Sequence, residues 1–336
     1  MSTPTVSVLM PAFNCERYIA EAIMSIKNQT YSQWELLVCD DASTDRTLAI
    51  IQSLTKDDSR IRVFVNSKNL KLLKTRNRLL QLTTGDLITF QDADDYSDPR
   101  RFELMVAEFS RNPRLGLLAS HVTHIDSEGR MLRVNKKPTT YSEVLIRMIE
   151  QNVVGGSIMM IRKSALESVG GKFREYLDGL SYQDYDLALL IAERFEAYAL
   201  PEALYYYRQH SSSASKRISV DRIVAESVVK HLARQRRETG SDDLMRKRPD
   251  LVEQYFEELR KPFKDDPSLV YRKYAANFVF NRLFGSAIKT AYAGVLARPW
   301  YLVNWRTLQY CIRMSLWEGL KRRLIAIPRR GYTEMP

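Results

Sequence analysis

The sequence predicts an α/β fold, a mostly parallel central sheet flanked by helices, followed by a separate and mainly helical C-terminal region. Three observations carry this. Short runs rich in Val, Ile, Leu and Phe alternate with segments of helical period from residue 6 to about residue 208, and right-handed crossovers turn such alternation into parallel strands. Strand signals stop near residue 215, and only helical periodicity continues. Charge divides at the same place: residues 1–215 hold 26 Lys and Arg against 27 Asp and Glu, whereas residues 216–336 hold 25 against 13. Two regions are therefore expected, 1–215 and 216–336.

The first strand covers 6–10 and passes through a loop, Pro11-Ala12-Phe13-Asn14, into a helix over 16–27 with Asn14 or Cys15 near its N-cap. Tyr18, Ile19, Ala22, Ile23 and Ile26 give that helix one apolar side. A second strand over 34–39 ends in Asp40-Asp41, and a helix over 47–54, a strand over 61–65 and a helix over about 70–81 follow. Gly85 then opens a strand at Leu87-Ile88-Thr89-Phe90 that runs into Asp92-Ala93-Asp94-Asp95. Past Asp98-Pro99 comes a helix with Phe102, Met105, Val106 and Phe109 on its core side, then a strand over 115–125, a turn at Ser127-Glu128-Gly129 and a returning strand over 131–134. A helix over 142–149 leads to Gly155-Gly156, where the backbone can approach another chain segment or a ligand closely. A strand over 158–161, a short helix from Ser164, an acidic helix start at Gln183-Asp184 and a strand ending at Tyr207-Arg208 complete the alternation, with a polar loop over 211–213 beyond it.

Composition excludes several classes. A hydrophobic content of 45% supports a folded core. Cys15, Cys39 and Cys311 are too few and too scattered for a disulfide framework or a zinc site, which points to a reducing compartment. No basic segment followed by a long apolar run opens the chain, and no window reaches the roughly 18 apolar residues of a spanning helix. The expected location is cytoplasmic, free or peripheral on the cytoplasmic face of the membrane. No G-x-G-x-x-G follows the first strand and no G-x-x-x-x-G-K-[ST] occurs, which argues against dinucleotide and P-loop chemistry.

Acid gathers where chemistry belongs. In an open parallel sheet ligands bind beyond the carboxyl ends of the strands, and Pro11-Ala12-Phe13, Asp40-Asp41 and Asp92-Ala93-Asp94 all lie at such ends. Three carboxylates within four residues repel one another and call for a cation. Mn2+ or Mg2+ carrying a phosphorylated substrate answers that demand, because both ions favour carboxylate and phosphate oxygens. Asp98 alone is explained by capping the turn into the next helix. For Asp184, capping its helix and a catalytic role stand even on these grounds. Arg208 and His210 are chemically suited to phosphate.

These segments, in this order, resemble an inverting family-2 glycosyltransferase of the GT-A fold. The resemblance rests on the Pro11-Ala12-Phe13-Asn14 loop, Asn28-Gln29-Thr30-Tyr31, Asp40-Asp41-Ala42-Ser43-Thr44-Asp45, Arg76-Asn77 and the D-x-D of Asp92-Ala93-Asp94, and covers about residues 5–215. It implies that a nucleotide-diphosphate sugar, with UDP the usual nucleotide, is held by Pro11, Ala12, Phe13, Asp41, Arg76, Asp92, Ala93 and Arg208. It implies a Mn2+ or Mg2+ at Asp94, with His210 beside it, and Asp184 as the general base that activates a saccharide or lipid-linked acceptor in polysaccharide or glycan biosynthesis. Two positions depart from the family pattern: Gln183 stands where a Glu is usual, and Lys71 where a Gly is usual after Asn69-Leu70.

The tail stands outside the resemblance. Helices are expected over 218–238, 250–259 and from 269, with a linker over 261–267. Tyr301, Trp305, Leu308, Ile312, Leu316, Leu320 and Leu324 recur at spacings of three or four, opposite Arg306, Gln309 and Arg313. Such a stripe either packs on another helix or the catalytic domain, or lies on an anionic membrane surface. Other function classes are a nucleotide-sugar-binding protein with impaired catalysis, for which Gln183 speaks, and a basic membrane or nucleic-acid binding module. Nucleic acid is disfavoured, since no zinc-finger or RRM signature accompanies the charge.

Overall fold

The computed structural model describes residues 3–178, 180, 182–210, 218–280 and 283–325, the side chains of the last helix through residue 319. The loop expected over 211–213, Gly179, and the side chains of Leu320 and Leu324 fall outside the described residues. Among the described residues nine strands occur in chain order: β1 (Val6–Ala12), β2 (Trp34–Asp40), β3 (Ile61–Val65), β4 (Leu87–Phe90), β5 (Tyr96–Ser97), β6 (Leu115–Ile125), β7 (Met131–Asn135), β8 (Met160–Arg162) and β9 (Glu196–Arg208). The helices among and after them are α1 (Ile19–Lys27), α2 (Thr47–Thr55), α3 (Lys71–Leu80), α4 (Arg101–Arg111), α5 (Tyr141–Arg147), α6 (Lys163–Ser168), α7 (Gln183–Ala192), α8 (Val220–Thr239), α9 (Pro249–Asp265), α10 (Leu269–Phe280), α11 (Phe284–Ala297) and α12 (Leu302–Ile325).

All nine strands join one sheet in the order β3-β2-β1-β4-β8-β6-β9-β5, with β7 paired to β6 outside that path. The β3-β2-β1-β4 half is parallel, in a register that sets Val6 against both Trp34 and Leu87. β8 enters antiparallel between β4 and β6, and β6 and β9 are parallel again. This is the mostly parallel sheet with flanking helices that the alternation predicts. Val8, Met10, Leu36, Val38 and Leu87 point from it into a core closed by Ile19, Ile23 and Ile26 of α1 and by Phe102, Met105 and Phe109 of α4.

Local chemistry accounts for three departures. α1 begins at Ile19, because residues 16–18 form a turn in which the Tyr18 and Ile19 N–H groups both donate to Cys15 O. β9 is longer than the stretch visible in sequence: Pro201 interrupts the strand signal, and register shifts between Ser120 and Val122 of β6 absorb the irregularity. In the tail, 261–265 is not linker, since α9 continues through Pro262 to Asp265 and breaks only at Asp266.

The chain forms two compact units, residues 1–216 with 225–252, and residues 217–224 with 253–336. From sequence, 225–252 is assigned to the C-terminal region, yet it packs in the first unit because buried charges tie it there. Arg236 donates to Glu193 Oε2 and to Asp242 Oδ2, each at 2.6 Å, and Arg174 reaches the same Asp242 oxygen at 2.7 Å. The second unit centres on a small cluster of Ala275, Val279, Ala287, Ala291 and Cys311 from α10, α11 and α12. Among the described residues no helix is long and apolar enough to cross a membrane.

Candidate active site

β4 carries its chain end to the rim where β1 and β2 also end. Gln91 N–H donates to Leu9 O at 3.0 Å, one residue beyond the strand, and its buried amide oxygen accepts from Ser97 Oγ at 2.7 Å. The next four residues are held one by one. Asp92 Oδ1 accepts from Arg76 Nη2 at 2.8 Å, and Ala93 packs into the core. Asp94 Oδ2 meets His210 Nε2 at 2.8 Å. Asp95 Oδ1 accepts from the Arg208 backbone N–H at 2.7 Å, while its buried Oδ2 has no partner among the described residues. Burial, then the charge of Asp92, raises the Asp94 carboxyl above its ordinary range, and His210 opposes that rise. Burial followed by the charges of Asp94 and Asp92 raises Asp95 further still. The cluster holds more negative charge than its protein partners neutralise. Asp98 does not cap a helix beginning at Pro99, since α4 starts at Arg101 without a side-chain cap; its Oδ1 accepts from Arg100 N–H at 2.9 Å in the turn before the helix.

The loops after β1, β2 and β3 are stitched together by Asp41. Its N–H donates to Ala12 O at 2.8 Å, and its Oδ1 accepts from Asn66 Nδ2 at 2.6 Å and from Leu70 N–H at 2.8 Å. Phe13 projects from the same edge with 47% of its surface exposed, beside half-buried Pro11 and buried Ala12. Asn14, Ala42 and Lys71 all adopt left-handed backbone, with φ of 48°, 60° and 65°. Strained conformations of this kind gather at ligand sites. The one at Lys71 accounts for the glycine usual at this position, which takes that backbone without a Cβ penalty; nothing in the structure explains the lysine.

Arg76 and Arg208 are both buried. The Arg76 guanidinium is buried over the Phe90 ring at 5.2 Å and bridges Asp92 to Ser157 Oγ at 2.9 Å. Arg208 is 3% exposed; it pairs with Glu21, donates from Nε to Asp94 O at 2.9 Å and stacks over Tyr18 at 4.7 Å. From sequence both are assigned to the donor; in the structure Arg76 holds Asp92 and Arg208 holds the Asp94 carbonyl. Ala93 likewise presents only backbone to the rim, since its side chain belongs to the core.

Asp184 comes to the rim on the first turn of α7. Tyr182, the residue before the helix, has φ of +75° and turns the chain sharply. The segment 152–157 packs against that turn: Asn152 Nδ2 donates to Asp184 Oδ2 at 3.3 Å and Asn152 Oδ1 accepts from Gly155 N–H at 2.8 Å. A Cβ on Gly155 would lie 2.8 Å from Asp184 O, and one on Gly156, where φ is +113°, would lie 3.3 Å from Asp184 Oδ2. The close approach expected of the two glycines is therefore to the backbone and carboxylate of Asp184. Burial raises the Asp184 carboxyl above the ordinary value, Arg76 and the N–H groups of its own helix turn pull it down, and Asp92 pushes it up. Through Arg76, Ser157 and Gly156 the D-x-D and Asp184 form one connected cluster. α7 itself is anchored from behind, where Arg174 Nε donates to Asp186 Oδ2 at 2.7 Å. Gln183 is buried and its Oε1 has no partner among the described residues.

Residues not singled out from sequence also belong to this site. Tyr18 and Glu21 sit one turn apart at the start of α1 and hold Arg208, and Tyr18 meets the His210 ring at 5.2 Å. Asn152 carries a legible signal, Asn-x-x-Gly, the sequence of a side-chain-closed turn. Arg101 carries none: wholly buried, it donates to Ser97 Oγ at 2.9 Å, Thr89 Oγ1 at 2.7 Å and Ser157 O at 2.8 Å, joining β4, β5 and the 157 loop.

A model of the family described as Glycosyl transferase family 2 matches residues 7–170. The putative glycosyltransferase EpsE of Bacillus subtilis is 38% identical over 218 residues, covering 64% of this chain and 77% of that one. This chain belongs to glycosyl transferase family 2. It is thereby an enzyme, a glycosyltransferase. The chondroitin synthase of Escherichia coli is 36% identical over 129 residues, 38% of this chain and 19% of that one. Among solved structures, the Staphylococcus aureus TarS fragment 1–349 in complex with UDP-GlcNAc aligns with a TM-score of 0.60 at 18% identity, covering 92% of this chain and 91% of that one. The mannosyltransferase PcManGT from Pyrobaculum calidifontis, in complex with GDP-Man and Mn2+, aligns at 0.53 and 18% identity over 95% and 88%. At such identities the likeness is one of fold, and the fold is GT-A.

The rim suits a divalent cation that shares its coordination with substrate. Among the described residues no group of three or more His, Cys, Asp and Glu is arranged to hold a metal by itself. Asp94 with His210 supplies two donors, and the surplus negative charge of Asp92, Asp94 and Asp95 favours a cation beside them. Mg2+ and Mn2+ are commonly held in this way, by one or two side chains with phosphate and water completing the shell.

Proposed function

We propose that this family-2 enzyme transfers a sugar from a nucleotide-diphosphate donor, a UDP-sugar in our reading, to a hydroxyl of a saccharide or lipid-linked acceptor with inversion at the anomeric carbon. The observation that carries the reading is the connected cluster in which Arg76, Ser157 and Gly156 link the Asp92–Asp94 loop to the carboxylate of Asp184. A leaving-group site and a base within one cleft are what a single displacement needs. Phe13 and the Asp41 loop are suited to the base and ribose, and the complexes of fold neighbours with UDP-GlcNAc and GDP-Man support a nucleotide-sugar donor.

Each group then has a task. Asp94 and His210 would hold Mn2+ or Mg2+, since carboxylate and phosphate oxygens suit both ions. The bound ion supplies Lewis-acid stabilisation of the negative charge that develops on the departing diphosphate. Arg208, Glu21 and Tyr18 keep Asp94 and His210 in place, and Arg76 does the same for Asp92. Asp184 takes the proton of the acceptor hydroxyl as its oxygen bonds to the anomeric carbon. The electron pair of the bond to the diphosphate leaves with the nucleotide, so one C–O bond forms as another breaks and no covalent enzyme intermediate is needed. Asn152 orients the Asp184 carboxylate and leaves it able to accept. A screen of nucleotide sugars with Mn2+, read by thermal stabilisation and donor hydrolysis, tests the reading. Stabilisation by at least one UDP-sugar, lost in Asp94→Ala, is expected; no response to any nucleotide sugar would refute it.

A further inference from the structure

α12 faces two ways. Its inner side is Asn304, Leu308, Cys311 and Met314, packed on α10 and α11, with Asn304 Nδ2 donating to Gly294 O at 2.9 Å. Its outer side carries apolar side chains at helical spacing, interleaved with exposed Arg306, Gln309 and Arg313: Leu302, Trp305, Ile312 and Leu316 are 69%, 49%, 40% and 64% exposed. Trp300, in the turn before the helix, is 81% exposed. From sequence Trp305, Leu308, Ile312 and Leu316 fall into one stripe, but the structure separates them, because the inward position passes to Leu308 and Cys311. A packed helix does not leave such side chains in water without a partner to cover them.

Charge decides which partner. Residues 270–336 contain twelve Lys and Arg against two Glu, and Arg306 and Arg313 are exposed on the outer half of α12. A second copy of the same face would bring like charges together. A nucleic-acid duplex pairs with Arg but gains nothing from burying Leu302, Ile312 and Leu316. An anionic lipid surface uses both features: indole rings and aliphatic side chains enter the boundary between headgroups and acyl chains, and guanidinium groups meet lipid phosphate.

We propose that the outer face of α12, with the turn at Trp300, docks this enzyme on an anionic lipid bilayer without spanning it. The test uses the full chain with vesicles of phosphatidylcholine and phosphatidylglycerol in equal parts, against vesicles of phosphatidylcholine alone, read by co-sedimentation at low and high salt. Wild type is expected to bind the anionic vesicles at least tenfold better, with binding weakened as salt screens the charges. Leu302→Ser with Leu316→Ser, and separately Arg306→Glu with Arg313→Glu, are each expected to lower binding at least tenfold while melting temperature and donor hydrolysis stay unchanged. Equal binding to both vesicle types, no binding by wild type, or either double variant binding as wild type would overturn the proposal. So would a wild-type dimer that Leu316→Ser dissolves, or binding to duplex DNA in place of vesicles.

Discussion

The two units distribute charge and apolar surface in opposite ways. The first buries Arg76, Arg101, Asp186, Arg236 and Asp242 within a large apolar core and leaves an acidic rim open. The second has a central cluster of small side chains and turns Trp and Leu outward. A buried charge is costly unless another group compensates it, so each buried Arg marks a place where geometry is held rigid. An exposed aromatic costs the fold little and marks a place where something else arrives. The first unit is thus built to position groups, and the second to present a surface.

Experiments that exchange these properties give the strongest contrasts. The largest effect is expected for Arg174→Ala, which leaves the buried Asp186 without its arginine while Asp242 keeps Arg236; breaking a buried pair of this kind costs about 3–5 kcal/mol, seen as a loss of chemical stability in urea. Leu316→Ser in the second unit is expected to stay within about 0.5 kcal/mol of wild type in the same assay. A comparable cost at both sites would erase the distinction.

Asn152→Ala comes next. Removing the donor to Asp184 Oδ2 is expected to lower kcat by roughly tenfold or more, with little change in donor affinity, because the base loses its orientation and not its charge. The acid limb of the kcat profile should move to higher pH, since a hydrogen bond to the ionised form is gone. An unmoved limb together with an unmoved kcat would remove Asn152 from the site.

Asp184 also links function to stability. Its carboxyl is raised by burial, so the folded state binds its proton more tightly than the unfolded chain does. The resulting stability is present below the unfolded value and disappears as pH rises through the folded one. Asp184→Asn is therefore expected to melt above wild type at neutral pH and with it near pH 3. Under the proposed base role, activity is expected to run the other way, rising with pH through the same raised value, because only an ionised base accepts a proton. The smallest effect is expected for Lys71→Gly, which relieves a left-handed backbone at the start of α3. A gain of up to about 1 kcal/mol, or a melting temperature a few degrees higher, follows from the usual cost of that conformation.

Much of this architecture is legible in the chain. β6 occupies the span its apolar run predicts, and the acidic ends of β2 and β4 meet at one rim because parallel strands end on one side. What escapes is non-local. Nothing periodic in residues 158–162 says that β8 inserts antiparallel between β4 and β6. Arg208 reads from sequence as suited to phosphate, and its pairing with Glu21, distant in the chain, is not visible there. The stripe on α12 is displaced for a similar reason: spacing identifies a helix, but its neighbours α10 and α11 select which face turns inward.

The central claim is that leaving-group binding and proton transfer reside on different carboxylates of one rim. The most direct measurement compares Asp94→Ala and Asp184→Asn for Mn2+-dependent binding of the donor identified by the nucleotide-sugar screen and for sugar transfer. Asp94→Ala is expected to lose metal-dependent binding and transfer together. Asp184→Asn is expected to bind donor as wild type does and to transfer sugar about 10²- to 10⁴-fold more slowly, the range a positioned base supplies. Near wild-type transfer by Asp184→Asn would contradict the account.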